Sequence, residues 1–268
     1  RYPYVQGHIA PLEDPSVQSP FGLGHPFVPS TRISILGFCR CARLLWHASH
    51  YAYNPYRVCI IFETYARFLL LKNDTISNIN NSISELENFA ILSPLSDNPL
   101  YPNYRGNFGE KIKDDGKIIK NVEEIDGYSM IINKNFFSDN IFFDENFFMY
   151  LENVDLCLRA RKNNGKLFII KNSNVHHLGA QAVDDKYSEE IELSRNWHWM
   201  WSKLYFNRKH RGLFISTFLG LGSLFVNFSK YIIYILTLNK KKKIYKMRML
   251  GIFNALLGRQ SWFRPLIN

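Results

Sequence analysis

Lysine is missing from the first sixty residues of this 268-residue chain, and acidic residues are missing from Arg195 to its end. The first absence coincides with an excess of proline, seven of the eleven in the chain. It also coincides with a lack of any helical or alternating apolar period in "GHIAPLEDPSVQSPFGLGHPFVPSTR", so this stretch reads as loop or disorder. The second absence concentrates the positive charge. Residues 195–268 carry fourteen Lys or Arg, whereas residues 1–194 carry nineteen basic and twenty-three acidic side chains. A net charge of +10 distributed in this way points to an anionic surface as partner, either nucleic acid or lipid headgroups. Cysteine is scarce too: Cys39, Cys41, Cys59 and Cys157 make no disulfide framework at this length. Cys39-Arg40-Cys41 has no second pair at zinc-site spacing, so reduced structural thiols are expected. Arg1 to Ser30 holds no continuous apolar run, which argues against a cleavable signal peptide there.

From about Phe62 the pattern becomes one of alternating strands and helices. "RFLLLKNDT" is a short apolar run ending in a polar turn, as expected of a buried strand. "ISNINNSISELENF" has the spacing of an amphipathic helix, and "AILSP" follows as a strand. Residues 96–124 are polar and read as a surface loop with short elements. "YSMIIN" predicts a strand, "NVDLCLRARKN" a helix stopped near Gly165, and "KLFIIKN" another strand. This alternation predicts an α/β layered domain. Three segments result: 1–61 irregular, 62–194 an α/β core, and 195–268 a basic, aromatic helical tail.

The tail interleaves three tryptophans with basic residues in "RNWHWMWSKLYFNRKHRG". The apolar run "LFISTFLGLGSLFVNFSKYIIYILTL" (residues 213–238) then leads into Lys240-Lys241-Lys242-Lys243. Its length suffices to span a bilayer, but Asn227, Ser229 and Lys230 interrupt its middle. A hairpin or helix lying on the membrane, a single span, and the face of a soluble bundle are all open on sequence grounds.

The stretch "FFDENFFMYLENVDLCLRARKNNGKLFIIKNSNVHHLGAQAV" resembles the second half of family 2 glycosyltransferases, especially the rhamnosyltransferase-like bacterial branch. "FLLLKNDT" resembles that family's strand and DxD-type turn, with Lys72 in place of the usual Asn. "DGYSMIINKNFF" resembles its acceptor-side segment, and "RNWHWMWSKLYFNRKHRG" with the terminal "GRQSWFRP" resembles the tail of the same branch. The resemblance runs from about Glu63 to Pro265 with the motifs in order. It implies a GT-A-like mixed sheet flanked by helices and a C-terminal membrane-associated helical segment. The first strand–helix–strand unit of that family, which cradles the nucleotide, has no counterpart in residues 1–61. The fold is therefore expected to be incomplete at its N-terminus, as in a truncated or frame-disrupted gene product.

The activity implied is transfer of a sugar, with inversion, from a nucleotide-diphosphate donor to a hydroxyl of a lipid-linked or polysaccharide acceptor. The expected place is the cytoplasmic face of the bacterial inner membrane, with anionic lipid as a partner and nucleic acid not. Asn73, Asp74 and Thr75 are the implied donor-binding turn, and Asp74 with His177 the implied ligands of Mg2+ or Mn2+. An ordinary helix cap is the alternative for Asp74 and Thr75. Glu152 is the expected base, because Asn153 stands where the family has the acid; Asp155, three residues on, is expected to orient the acceptor or to support the loop. A plain helix ion pair with Arg159 is the alternative for Asp155. Gly127 and Arg159 fall on the acceptor side. His176 is an extra histidine beside the aligned His177, and Ala182 replaces a serine. A catalytically dead, membrane-attached remnant is one rival to the enzyme, and a basic nucleic-acid-binding protein is another.

Overall fold

Two helices cover opposite faces of one mixed sheet, and the alternation of side chains along its central strands explains how. The computed structural model describes residues 34–37, 58–62, 69–71, 74–86, 88–98, 102–105, 116–137, 142–177 and 187–264. All of them belong to one compact unit, Arg32–Asn268; a second unit, Arg1–Thr31, lies outside the described residues.

The strands are β1 (Ser34–Gly37), β2 (Val58–Phe62), β3 (Leu69–Leu71), β4 (Phe89–Ser96), β5 (Tyr104–Arg105), β6 (Ile119–Val122), β7 (Glu124–Ile125), β8 (Ser129–Asn133) and β9 (Lys166–His177). The main sheet runs β1-β2-β8-β4-β9-β3, with β6 also pairing with β9, and β5 and β7 form a separate ribbon. The β1/β2 and β4/β9 pairs are parallel, and the rest of the main sheet is antiparallel. Two of these strands, β1 and β2, fall inside residues 1–61, the first within the "RISILGFC" run.

Helices α1 (Thr75–Glu85) and α2 (Glu152–Lys162) supply the outer layers. Ile79 and Ile83, four apart on α1, pack with Phe89, Leu92, Ile131 and Ile170. The next residues along the same strands, Ile91, Met130, Ile132 and Ile169, point the other way and pack with Leu156, Cys157 and Ala160 of α2. A period of two in the strands meeting one apolar stripe on each helix gives the three layers. With both faces covered, these strands read as unbroken apolar runs. α2 ends as expected just before Gly165, but the left-handed residue is Asn164 (φ 61°). Gly165 is needed for close approach: a Cβ there would meet Phe136 Cζ at 2.4 Å and Ala90 Cβ at 2.7 Å.

Three further helices complete the chain: α3 (Ser188–Arg211), α4 (Leu213–Leu236) and α5 (Lys242–Leu256). The two tail motifs, sixty residues apart in sequence, lock together. Trp201 Nε1 donates to the Arg259 carbonyl and Trp262 Nε1 to Asn254 Oδ1, each at 2.9 Å. Trp197, fully buried, stacks on Phe263. His198 is enclosed between them, with Ser261 Oγ on Nδ1 and the Phe263 carbonyl on Nε2, both at 2.9 Å. This arrangement fits the neutral ring, donating from Nε2 and accepting at Nδ1.

Burial lowers the His198 pKa from 6.5 to about 4; the Phe263 carbonyl opposes the shift and Arg264 adds to it. A folded pKa below the unfolded one means that the unfolded chain binds the proton more readily. The melting temperature is therefore expected to fall as pH drops from about 6.5 towards 4, and His198→Gln flattens that part of the profile in a thermal scan.

Candidate functional site

The carboxyl ends of the parallel pair β4 and β9 lie side by side, and in open α/β sheets ligands bind beyond such ends. β9 is irregular just before this point. Pro94 pairs with Ile170 but Leu95 with Asn174, so residues 171–173 bulge out. The start of α1 is seated on that bulge. Thr75 Oγ1 donates to the Asn174 carbonyl at 2.8 Å, Asn78 Nδ2 donates to the Asn172 carbonyl at 2.8 Å, and Ser173 Oγ donates to the Thr75 carbonyl at 3.3 Å. β3 pairs with β9 through Leu71 and Val175, and so delivers the chain to Asp74 at the same sheet edge.

Asp74 opens α1 in the cap position but makes no side-chain capping hydrogen bond. Its carbonyl accepts from Asn78 N and Ser77 Oγ, and the residue is exposed. Thr75 is fully buried and its hydroxyl is engaged by β9, so it holds the turn in place. Asn73 lies outside the described residues. Across the edge, Asp97 follows β4; its N–H donates to the Val175 carbonyl, and its Oδ1 lies 2.6 Å from His176 Nδ1. The extra histidine therefore has a carboxylate partner. His177 pairs in register with Leu69 through its backbone, and its side chain lies outside the described residues.

A hydrogen-bonded path leads from this edge to the start of α2. Ser96 N donates to Asn103 Oδ1 at 2.9 Å, and the Asn103 amide is fully buried on Ser93 Oγ and the Pro94 carbonyl. Asp126 N donates to the Asn103 carbonyl, and Asn153 Nδ2 lies 3.5 Å from Asp126 Oδ1. Asn153 also donates to the Ile125 carbonyl at 3.0 Å. An aspartate in its place would set its charge against two oxygens, which accounts locally for the amide. Gly127 turns beside it, where an added Cβ would make ordinary contact with Asn153 at 3.5 Å.

Glu152 stands first in α2 and is half-buried. The two residues before it, Tyr150 (φ 70°) and Leu151 (φ 68°), are both left-handed. Side chains with a Cβ adopt that conformation at a cost of about 1–3 kcal/mol each, and such strain concentrates at functional sites. No sequence signal announced it. Nearby, burial holds the Tyr150 hydroxyl above its usual pKa; Arg195 opposes the shift, and Glu192 and Glu152 add to it. Burial pushes the Cys157 thiol up to about 12, which makes it an inert thiol packed on Ile125.

Asp155 is placed to support the loop before α2. It is fully buried, with Arg159 Nε at 2.9 Å, Lys209 Nζ at 2.8 Å and His210 Nε2 at 2.7 Å. Arg159 also donates to the Phe142 carbonyl. Lys209 bridges from Asp155 to Asp144 at 2.7 Å, and Asp144 further accepts from Tyr205 Oη and the Asn146 backbone and amide. Burial alone would raise the Asp144 pKa, but these donors outweigh it and bring it to about 2. Burial, with the bond to Asp144, raises Tyr205 to about 12. Asp155 and Arg159 thus form neither an acceptor site nor a surface ion pair; they anchor α3. Asp144, Lys209 and His210 were missed in the sequence because their partners lie some fifty residues or more away.

The expected meeting of Asp74 and His177 at a cation facing Glu152 finds no complete donor set. Among the described residues, no group of three His, Cys, Asp or Glu is placed to hold a metal ion. Asp97, the remaining carboxylate at this edge, is paired with His176. The His177 side chain, the second of the two expected ligands, lies outside the described residues.

No protein-family model and no curated protein matches this chain. Among solved structures it is similar to A197 from STIV, with a TM-score of 0.31 and 10% identity over 45% of this chain and 56% of that one. It is also similar to GalNAc-T7, crystallised with UDP, GalNAc and Mn2+, with a TM-score of 0.36 and 15% identity over 53% of this chain. The match spans 34% of the length of GalNAc-T7.

Two substitutions test these packing roles. Asp155→Asn leaves Arg159, Lys209 and His210 around a neutral amide and is expected to cost about 3–5 kcal/mol in urea unfolding. Asn153→Asp, although it restores the acid that the family resemblance places there, is expected to cost about 1–3 kcal/mol in the same measurement.

Proposed function

We propose that the chain is a glycosyltransferase acting at the cytoplasmic face of a bacterial inner membrane. It transfers a sugar from a nucleotide-diphosphate donor to a hydroxyl of a lipid-linked or polysaccharide acceptor, with inversion. One observation carries this reading. The motifs that resemble the family, although scattered over a hundred residues, are tied to one stretch of sheet: the start of α1 after Asp74 is bonded to β9 at Asn172 and Asn174, Asp97 meets His176 at the end of β4, and Asn103, Asp126 and Asn153 link the end of β4 to the start of α2.

In this reading Asn73, Asp74 and Thr75 hold the donor diphosphate, and His177 assists them. Glu152 takes the proton of the acceptor hydroxyl as its oxygen attacks the anomeric carbon. The bond to the diphosphate breaks with its electron pair leaving on the phosphate oxygen. Half-burial and the backbone strain before Glu152 suit a base that must be held in one place. Gly127 leaves room on the acceptor side.

The same chemistry without turnover, a membrane-attached remnant, is favoured by one feature: Asn153, at the position where the resemblance places an acid, is committed to the Ile125 carbonyl. Calorimetric titration with UDP, GDP and dTDP in the presence of Mn2+ decides between the two. The enzyme reading expects binding of one of them, weakened by Asp74→Ala. It further expects Glu152→Gln to slow donor turnover by about 10²-fold or more with affinity retained. No affinity for any nucleotide overturns it.

A further inference from the structure

The α4 helix is turned inside out by the standards of a helix in water. The positions it buries are Ser216, Gly220 and Asn227. Ser216 Oγ donates to the Leu204 carbonyl at 2.9 Å, and Asn227 Nδ2 to the Ser223 carbonyl at 2.7 Å. A Cβ at Gly220 would come within 2.5 Å of Leu204 and 2.6 Å of Leu256, so glycine is what lets the three helices close up here. Its outward face is aromatic and aliphatic: Phe214 is 91% exposed, Phe218 78% and Phe225 73%. A surface helix of a soluble domain has its apolar stripe inward and its polar face out. Small and polar residues along the seam with apolar groups outside is the arrangement helices adopt against lipid. Only 11% of the apolar window of α4 is buried, whereas the core helix of a soluble bundle is mostly buried.

Leu250, Phe253 and Leu257 of α5 extend this exposed surface. Between the two helices runs an open groove of about 630 Å³, lined by Leu221, Phe225, Phe228, Met249 and Phe253 among others. Lys246 is the one charged side chain in its wall. More positive charge surrounds it. Lys230 and Arg248 both lie over the Tyr245 ring, at 5.6 and 5.2 Å, and Lys240–Lys243 form the turn between the helices. No carboxylate follows Arg195 in the sequence. An aliphatic trough with an ammonium in its wall and cations around its end matches one kind of molecule: a hydrocarbon chain joined to an anionic head.

We propose that this groove seats an acyl chain of an anionic phospholipid, with Lys246 at the phosphate, so that α4 and α5 lie in the plane of an anionic bilayer. The helix does not cross. α4 packs along α3, which carries Arg208 and Lys209 and is tied to the soluble core through Asp144 and Asp155. Those charges would have to enter the hydrocarbon with it, at several kcal/mol each. The inference deepens the membrane-surface part of the proposed function and does not depend on its donor chemistry.

The test uses the whole chain with vesicles of phosphatidylcholine, with and without phosphatidylglycerol, the latter carrying a photoactivatable group on one acyl chain. Cross-links are expected in peptides containing Phe225, Phe228 and Met249. Flotation with the phosphatidylglycerol vesicles is expected to weaken about five-fold in Lys246→Gln, the effect of one charge near the surface. Phosphatidylcholine binding should stay unchanged in that variant. The pair Phe225→Ser and Leu250→Ser alters exposed positions, so helix content by circular dichroism is retained while the cross-links disappear. Three results overturn the proposal: equal binding to both vesicle types, cross-links confined to other elements, or a stable dimer in sedimentation that Phe225→Ser dissociates. A chain that floats and cross-links but binds no nucleotide overturns the transferase reading alone.

Discussion

Everything C-terminal of the sheet hangs on a buried carboxylate. Asp155, on the sheet-facing side of α2, is surrounded by Arg159 from its own helix and by Lys209 and His210 from the end of α3. Removing ions from water costs several kcal/mol each, and only close, multiple pairing makes such a cluster tolerable. Here the pairing is dense. Lys209 is shared with Asp144, Asp144 is further saturated by Tyr205 and Asn146, and the second nitrogen of His210, Nδ1, lies 3.4 Å from Lys162 Nζ. Apolar contacts slide and electrostatic ones do not, so the cluster fixes the register of the helical tail on the α/β core. Ser202 Oγ, donating to the Met149 carbonyl, adds a second fixed point one helix turn away from Tyr205.

That register matters for the site. The loop from Phe142 to Leu151 lies between Asp144, held by α3, and Glu152, the first residue of α2. With both ends held, Tyr150 and Leu151 stay in the left-handed region that they would otherwise leave. Tyr150 is also held by an edge-on contact with Trp199 of α3. The tail therefore supports the position of Glu152 as well as presenting an apolar surface. In the proposed reading, one group of residues sets both the position of the base and the height of the site above a membrane.

The substitution at position 153 illustrates how a family pattern and a local packing requirement diverge. By resemblance alone, Asn153 is a lost acid. In the folded chain its amide is a donor to a backbone carbonyl and to Asp126, and a buried carboxylate there would set its charge against both oxygens. The residue is well adapted to its surroundings whatever it costs in reactivity, and the burden of proton removal in the proposed mechanism falls on Glu152.

The periodicity of the chain was sufficient for much of the core. Ile79 and Ile83 on one helical face, and the apolar runs of β4, β8 and β9, define α1, three central strands and α2, because each pattern buries a surface in only one conformation. The charge imbalance of residues 195–268 is likewise plain along the sequence. Partners distant in sequence were decided by tertiary structure alone. Nothing local marks Asp155 as an anchor, Thr75 as a tie to Asn174, or His176 as the partner of Asp97. A carboxylate or hydroxyl looks the same in a site, a cap or a buried network. Which one it becomes depends on what the fold brings within hydrogen-bonding distance, and a sequence read along its length does not contain that distance.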